Sequence, residues 1–200
     1  MYKRQQQAQL AAQTGDAYLE LLADGFRYVS KEDPRRAAKA FREAIALRPD
    51  RPEAYFNLGA ALNNSGHYVE AAQRFLEARE RYPVGSADWA ETTARAFNML
   101  IQEACAEVAK PEWWSDEGLK ALSARVVRAA PDDAEANRMR AVVLSGQDYS
   151  WEAGPRSAAE LREAAAYYER VAALWPAPAV KAEFADCADR CRRAAEAVYS

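Results

Sequence analysis

The sequence predicts an all-α protein built from antiparallel helix pairs. Alanine, glutamate, arginine and leucine, which favour helix, are abundant, and charged residues make up 28% of the chain. No run alternates apolar and polar residues for long enough to indicate a β-sheet. Similar segments also recur at a fixed spacing, which is typical of a repeat architecture. Two hundred residues suffice for one domain or for a short array of such repeats.

The net charge and the apolar segments of the sequence limit the kinds of partner that this protein is expected to bind. The net charge is -3 and the isoelectric point is near 5.4, whereas a nucleic-acid surface normally carries a basic patch. The longest apolar stretch near the C-terminus is "VAALWPAPAV", which is short and broken by Pro176 and Pro178, so it cannot cross a bilayer. We therefore expect a protein or peptide partner, no nucleic acid and no membrane insertion. The sequence leaves the oligomeric state open.

The three cysteines, Cys105, Cys187 and Cys191, lack the paired spacing of a metal site. Cys187 and Cys191 lie four residues apart and could form half of such a site. Packing in the core explains them without a second pair of ligands. We expect reduced, structural thiols and therefore a cytoplasmic protein. No cofactor and no metal are expected.

The first residues, "MYKRQ", resemble the translated end of a transposon adapter used in sequencing libraries. Adapter-derived residues carry no information about the fold of the natural protein. Residues 1–17 are interpreted as adapter sequence followed by part of an N-terminal helix, and we expect the natural beginning of the protein to be missing.

Two segments, "RRAAKAFREAIALRPD" and "VEAAQRFLEARERYPV", align without a gap. Small, aromatic and proline positions coincide at a constant separation of 34 residues. The pairs are Ala37 with Ala71, Phe41 with Phe75, Ala44 with Ala78 and Pro49 with Pro83, preceded by Leu21 with Tyr55, Gly25 with Gly59 and Tyr28 with Leu62. This is the period of the tetratricopeptide repeat.

These positions resemble the tetratricopeptide repeat family, whose pattern reads aromatic, Leu-Gly, Tyr, then Ala, Phe, Ala and Pro. The earlier copy has Asp24 where leucine is usual. The resemblance implies helix pairs stacked as a short right-handed superhelix, an α-solenoid, with a C-terminal capping helix. The better copy contains, in order, Tyr55, Leu58, Gly59, Leu62, Ala71, Phe75, Ala78 and Pro83.

The glycines in "YFNLGAALNNSG" have structural explanations. Gly59 and Ala71 are expected to be small because the axes of two paired helices cross closely there. Gly66 is expected to end the first helix in a left-handed conformation, and Pro83 lies past the end of the second helix. A phosphate-binding loop would need a preceding strand and a lysine, and neither is present.

Beyond residue 85 the repeats are distorted. Trp89 and Pro131 take the opening aromatic and closing proline positions, but they are 42 residues apart against 28 within residues 52–85, so 14 residues are extra. We expect the extra residues to lengthen the first helix and to add the "KPEWWSDEG" turn. In this turn Pro111 would end one helix and Ser115 would begin the next.

The following unit carries 11 extra residues, since Asn137 and Pro176 are 39 apart, and we expect them to form a loop around "SGQDYSWEAGPRS". The tail is predicted to be a helix with Phe184, Cys187, Cys191 and Ala195 on one stripe. The predicted divisions are a first repeat at 18–51, a second at 52–85, a degenerate extended helix pair at 86–131, a degenerate pair with an inserted loop at 132–176 and a capping helix at 177–200.

The part of the chain from residue 84 to residue 200 also resembles duplicated repeat proteins of marine microalgae. The resemblance covers the segments around "KPEWWSDEG" and "WEAGPRSAAELREAAAYYERVAAL". It brings no known activity.

Candidate catalytic residues are few. His67 is the only histidine and lies in a predicted turn, where a capping or exposed role explains it. Any Ser-His-Asp or Cys-His arrangement would have to use it. The acidic pairs Asp116 with Glu117 and Asp132 with Asp133 lie in the predicted first turns of helices, where negative charge is favoured. We therefore expect a protein that is not an enzyme.

Trp113 and Trp114 are adjacent, so they cannot both face one core on a helix or turn. One is expected to pack beneath the long connection while the other is partly exposed. The exposed ring either fills space or marks a contact surface. Trp151, in the later loop, leaves the same two interpretations open.

The family resemblance implies a peptide-binding groove lined by the first helix of each repeat. An Asn side chain both donates and accepts, so it can hold an extended peptide backbone. Phe26 and Phe56 could instead fill space between adjacent repeats, and the sequence leaves both readings open. The expected lining residues are Leu22, Phe26, Phe56, Asn57, Ala60, Asn64, Glu91 and Asn98.

The function expected from this groove is that of a noncatalytic protein-binding adaptor or scaffold. The alternative is a structural subunit of a larger complex, and a cochaperone that binds chaperone tails is less favoured. The carboxylate clamp of that subfamily needs basic and Asn residues where this chain has Leu22, Phe26, Asn57, Ala87 and Glu91. Only Asn57 fits, and Glu91 would repel the carboxylate.

Overall fold

The computed structural model describes residues 15–148 and 150–198. This part of the chain contains nine α-helices and one short 3-10 helix and no β-strand. The chain divides into two units, Met1–Tyr82 and Pro83–Ser200. Within each unit consecutive helices pack on one another, as in a solenoid of helix pairs. The all-α fold class is confirmed.

The described part of the first unit contains four helices of similar length, and each packs on the next. Asp16 and Asp33 begin the first two by accepting hydrogen bonds from the backbone N–H groups of Tyr18 (3.0 Å) and Arg36 (3.1 Å). A proline opens the second and the third helix. Their bounds are α1 at Ala17–Ser30, α2 at Pro34–Leu47, α3 at Pro52–Asn64 and α4 at Tyr68–Arg81.

Glycine allows the two helices of each pair to approach closely. A Cβ atom placed on Gly59 would lie 3.1 Å from the Phe75 ring, and one on Gly25 would overlap the Phe41 ring. Gly66 has φ +80°, and the backbone N–H of the residue after it bonds to the carbonyl of Leu62 at 2.9 Å. This is the left-handed helix end that the sequence predicts.

The aromatic residue that opens the first repeat is Tyr18 rather than the aligned Leu21. Tyr18 is buried, and its hydroxyl donates to Glu53 at 3.3 Å. The guanidinium of Arg48 lies 5.2 Å from the Tyr18 ring centroid, and that of Arg81 lies 4.1 Å from the Tyr55 ring centroid. Each opening tyrosine is therefore covered by an arginine from later in the chain.

Over its described residues the second unit contains five α-helices. The first of them packs on the second and the third, and the remaining helices pack in chain order. Ser115, Asp133 and Ser157 cap three of these helices through their side chains. The bounds are α5 at Ala87–Leu100, α6 at Asp116–Ala129, α7 at Ala134–Ser145, α8 at Ala158–Leu174 and α9 at Pro178–Ala197.

The extra residues of the third helix pair do not lengthen its first helix, so that expectation was wrong. α5 ends at Leu100, and the extra residues form turns and a 3-10 helix at Glu103–Cys105. Lys110 holds this segment because its Nζ donates to the carbonyls of Leu100 and Cys105, both at 2.9 Å. Pro111 therefore does not end a helix, whereas Ser115 begins α6 as predicted.

The connection between α7 and α8 is anchored by a nearly buried ion pair. Arg156, whose side chain is 5% exposed, donates to both carboxylate oxygens of Asp116 at 2.6 and 2.9 Å and to the carbonyl of Val143 at 2.9 Å. Trp151 donates its Nε1–H to the same carboxylate at 3.3 Å. The Arg156 hydrogen bonds are the largest cause that lowers the pKa of Asp116 to about 2.

The last helix packs on α8 through Phe184, Ala188, Cys191 and Ala195, which are buried. Cys187 packs at the margin of this core, half-buried. The three cysteines are free thiols, and burial is the largest cause that raises the pKa of each. Among the described residues, none of the helices is both long enough and apolar enough to cross a membrane.

Candidate functional site

The candidate site in the first unit is built on its two first helices, α1 and α3. Phe26 projects from α1 with its ring 5.7 Å from that of Phe41, edge to face. Phe56 projects from α3 and meets Phe75 in the same way at 5.6 Å. Both are half-buried. Each ring therefore packs within its own helix pair and keeps part of its surface exposed.

Leu22 does not line an accessible surface, contrary to expectation. Its exposed fraction is 0%, because it lies on the side of α1 that faces the core together with Tyr18 and Gly25. These positions are three or four residues apart, so they share one helix face. A ligand on the surface of α1 cannot contact Leu22.

Asn57 is held in a defined orientation by its own helix. Its Nδ2 donates to the Glu53 carbonyl at 2.7 Å, and the residue is half-buried. No other hydrogen bond joins this side chain to a described residue. Its Oδ1 and its second N–H thus remain available to a ligand backbone, which needs both an acceptor and a donor.

A cleft of about 240 Å³ lies between the C-terminal ends of α1 and α3. Val29 and Ala61 give it apolar walls, and Asn64 adds an amide to the lining. The turn from α1 into α2 closes another side with Glu32, Asp33 and Pro34. Of the predicted lining residues, Asn64 is the one that this cleft contains, while Ala60 is half-buried on α3.

The two carboxylates of the cleft differ in their partners. Asp33 caps α2 and also lies 3.5 Å from the guanidinium of Arg36. Glu32 is exposed and makes no ion pair with any described residue. It also has φ +56°, a left-handed conformation that residues other than glycine rarely adopt.

Glu91 and Asn98, the two lining residues predicted on α5, lie in the second unit. Asn98 is 1% exposed and donates to Glu135 of α7 at 2.6 Å, so its assignment to an accessible groove was wrong. Contact between α5 and α7 covers it. Glu91 is half-buried and pairs with Arg95 at 3.1 Å.

The adjacent tryptophans are both half-buried, and they take part in an aromatic cluster. The ring of Trp114 lies 5.5 Å from those of Phe97 and Trp113 and 6.3 Å from that of Trp151. Its Nε1–H donates to the carbonyl of Ser150 at 3.0 Å. Trp151 is 8% exposed, so the contact-surface interpretation of this residue was wrong. Both long connections of the second unit thus share one small core.

His67 stands at the N-cap position of α4 without a side-chain capping bond, and it is exposed. Among the described residues, no group of three or more His, Cys, Asp or Glu side chains is placed to hold a metal ion.

Comparison with known proteins identifies the repeats. Residues 27–86 match a family model for the tetratricopeptide repeat. Over this range the chain is similar to tetratricopeptide repeats. The match includes most of the first two helix pairs and the cleft between them. In both tetratricopeptide repeats the family's small position is a glycine that faces a phenylalanine.

Solved structures of other proteins share the fold of the chain. A crystal structure of the MamA protein has a TM-score of 0.58 at 16% identity, covering 93% of this chain and 90% of that one. YrrB, described as a TPR protein with an unusual peptide-binding site, has a TM-score of 0.57 at 17% identity, covering 94% and 86%. Likeness at this level of identity concerns the fold.

A curated relative matches part of the chain. Cellulose synthase operon protein C of Pseudomonas fluorescens (strain SBW25) is 27% identical over 105 residues, which is 50% of this chain. The match spans only 8% of that relative's length.

The residues that sequence reasoning missed are those at the ends of the first helices. Val29 follows Phe26 by three positions, and Ala61 precedes Asn64 by three, so both continue the face already proposed. This helical spacing could have revealed them. The contribution of the turn at Glu32 has no such signal, because turn residues follow no helical period.

Proposed function

We propose that the chain is a noncatalytic protein-interaction module whose first two repeats bind a peptide segment on the face formed by α1 and α3. Tetratricopeptide repeats commonly serve as such modules, and YrrB, of the same fold, is described as having a peptide-binding site. The cleft of about 240 Å³ between α1 and α3 is the observation that carries the proposal.

The chemistry of the face suits an extended peptide. Phe26, Phe56 and Ala60 are half-buried and offer apolar contact, while Asn57 and Asn64 offer amide donors and acceptors. The Asn57 amide is already oriented by its bond to the Glu53 carbonyl, so little side-chain freedom is lost on binding. The outer face of α4 differs, because Arg74 there is paired with Glu70 and Glu77.

The proposal is tested with peptides selected by the whole chain from a random dodecapeptide phage library. Binding of the synthesised peptides is measured by isothermal titration calorimetry for wild type, Asn57→Ala and Asn64→Ala. Each variant removes one amide, so we expect each to weaken binding about fivefold or more. Gln73→Ala on the exposed face of α4 is the matched control, because it also removes an amide.

Two outcomes would contradict the proposed function. If Gln73→Ala weakens binding while both asparagine variants bind as wild type does, the ligand lies elsewhere. The alternative role as a structural subunit would then replace the adaptor role. Turnover of ester, phosphate or peptide substrates that is lost in His67→Ala would contradict the noncatalytic part of the proposal.

The proposed location is the cytoplasm. The support is that Cys105, Cys187 and Cys191 are free thiols and that a reducing compartment keeps thiols in this state. Fusion of a fluorescent protein to the chain, followed by imaging in its own cells, tests the location.

A further inference from the structure

We propose that the cleft between α1 and α3 receives the side chain of one lysine or arginine of the bound peptide. The inference rests on the proposed function and assigns the chemistry of one subsite. Such a side chain has an apolar stem and a cationic end, and the cleft offers a surface for each.

The apolar walls match the stem. Val29 comes from the last turn of α1, Ala61 from the last turns of α3 and Pro34 from the start of α2. None of these side chains has a polar atom. A lysine or arginine commonly lays its methylene groups on such a surface and keeps its charge at the water boundary.

The charges of the lining match the cationic end. Of the residues that the structure describes, two carboxylates, Glu32 and Asp33, line the cleft, and no cation does. The Asp33 carboxylate is committed to the α2 N-terminus and to Arg36. Glu32 has no ion-pair partner among the described residues, so its carboxylate is the one that remains for a ligand.

The helix ends add to this negative potential. α1 ends at Ser30 and α3 ends at Asn64, so the negative ends of two helix dipoles meet at the cleft. The start of α2 at Pro34 has the opposite sign, but the Asp33 carboxylate offsets it. Lys31 and Arg35 flank the turn in sequence without lining the cleft, and both are exposed, so solvent and salt screen their charges.

The left-handed backbone at Glu32 allows a variant that distinguishes loss of the carboxylate from misfolding of the turn. A left-handed conformation costs an ordinary residue free energy that glycine does not lose. Glu32→Gly therefore removes the carboxylate without stressing the turn, and Glu32→Gln removes the charge while keeping the shape. Failure to fold is thus excluded as the cause of any loss that both variants share.

The experiment uses the dodecapeptides selected by the whole chain. Each lysine in turn is replaced by norleucine and each arginine by citrulline, which keep the stem and remove the charge. We expect one basic position whose replacement weakens binding about two- to fivefold, the range of a solvent-exposed ion pair. In Glu32→Gln and Glu32→Gly this difference should vanish, and in wild type it should shrink in 1 M salt.

The control is Glu43→Gln, which changes an exposed glutamate of α2 outside the cleft lining and should keep the full difference. If binding depends on Asn57 and Asn64 but no basic position matters, or if the preference survives both Glu32 variants, this inference is overturned and the proposed function stands. If binding ignores Asn57 and Asn64 altogether, both fail.

Discussion

Arg156 and Asp116, 40 residues apart in the chain, are joined by two hydrogen bonds of 2.6 and 2.9 Å in a nearly buried setting. The pair ties the connection before α8 to the first turn of α6. A guanidinium that is 5% exposed is costly without its counter-charge. The buried charge of Arg156 is thus balanced by the Asp116 carboxylate.

Asp116→Asn should destabilise the protein by roughly 3 kcal/mol, the usual cost of removing one partner of a buried ion pair. The free energy of unfolding is measured by urea titration followed by circular dichroism. Asp186→Asn is the control, since it breaks the exposed pair with Arg190 and should change the midpoint little. Similar midpoints for both variants would mean that Arg156 finds other partners.

Acid should weaken the second unit through the same carboxylate. The pKa of Asp116 is lowered from 3.8 to about 2, chiefly by hydrogen bonds from Arg156. Because the folded pKa is the lower one, the carboxylate stabilises the fold above pH 3.8, and this contribution is lost as the pH falls toward 2. The contribution amounts to about 2 kcal/mol.

Urea titrations at pH 5, 4, 3 and 2 measure this acid dependence. Wild type should lose stability more steeply than Asp116→Asn, which lacks the titrating group. Glu160→Gln provides a second test of acid dependence, because the pKa of Glu160 is lowered to about 2, mainly by Lys120. Parallel curves for wild type and Asp116→Asn would contradict the assignment.

The two repeat glycines should respond differently to alanine. Gly25→Ala places a methyl group in the Phe41 ring, and overpacking of this kind costs about 1–3 kcal/mol. In Gly59→Ala the new atom lies 3.1 Å from the Phe75 ring, and better helix propensity, worth about 1 kcal/mol, offsets part of the strain. Urea midpoints by circular dichroism compare the two. A larger loss in Gly59→Ala would contradict this packing.

The three thiols should be alkylated by iodoacetamide in a definite order. Cys187 is half-buried and should react first, while Cys105 and Cys191 are buried and should react only when the surrounding helices open. Mass spectrometry of tryptic peptides after timed quenching gives the rates. In Cys187→Ser the fast phase should disappear. Rapid labelling of Cys191 in that variant would contradict its place in the α8–α9 core.

The helix pairs could be predicted from the sequence because their packing is local and periodic. The sequence predicted a close approach of the paired helices at Gly59. In the structure Gly25 and Gly59 repeat at the same interval as the phenylalanines that they face. Tyr18 shows the limit of the alignment. Tyr18 takes the opening aromatic role three residues before Leu21. Positions about one turn apart lie on the same face of a helix, so either of them can place an aromatic ring in the core.

The parts that could not be predicted depend on long-range contacts. Nothing local marks Asp116 as the partner of Arg156, since it resembles any acidic residue in a first turn. The position of Asn98 on α5 predicted a groove residue. In the structure its side chain donates to Glu135 and lies between α5 and α7. The exposure of a side chain on a helix that packs against two other helices depends on the placement of those two helices. The repeat period does not determine that placement.

The placement of the indole side chains separates the two units spectroscopically. All five tryptophans, Trp89, Trp113, Trp114, Trp151 and Trp175, belong to Pro83–Ser200, and Met1–Tyr82 has none. Indole emission therefore follows the second unit alone, whereas the ellipticity at 222 nm follows the helices of both. If the units unfold in separate steps, the two signals will give different midpoints, and each variant can be assigned to the unit that it weakens.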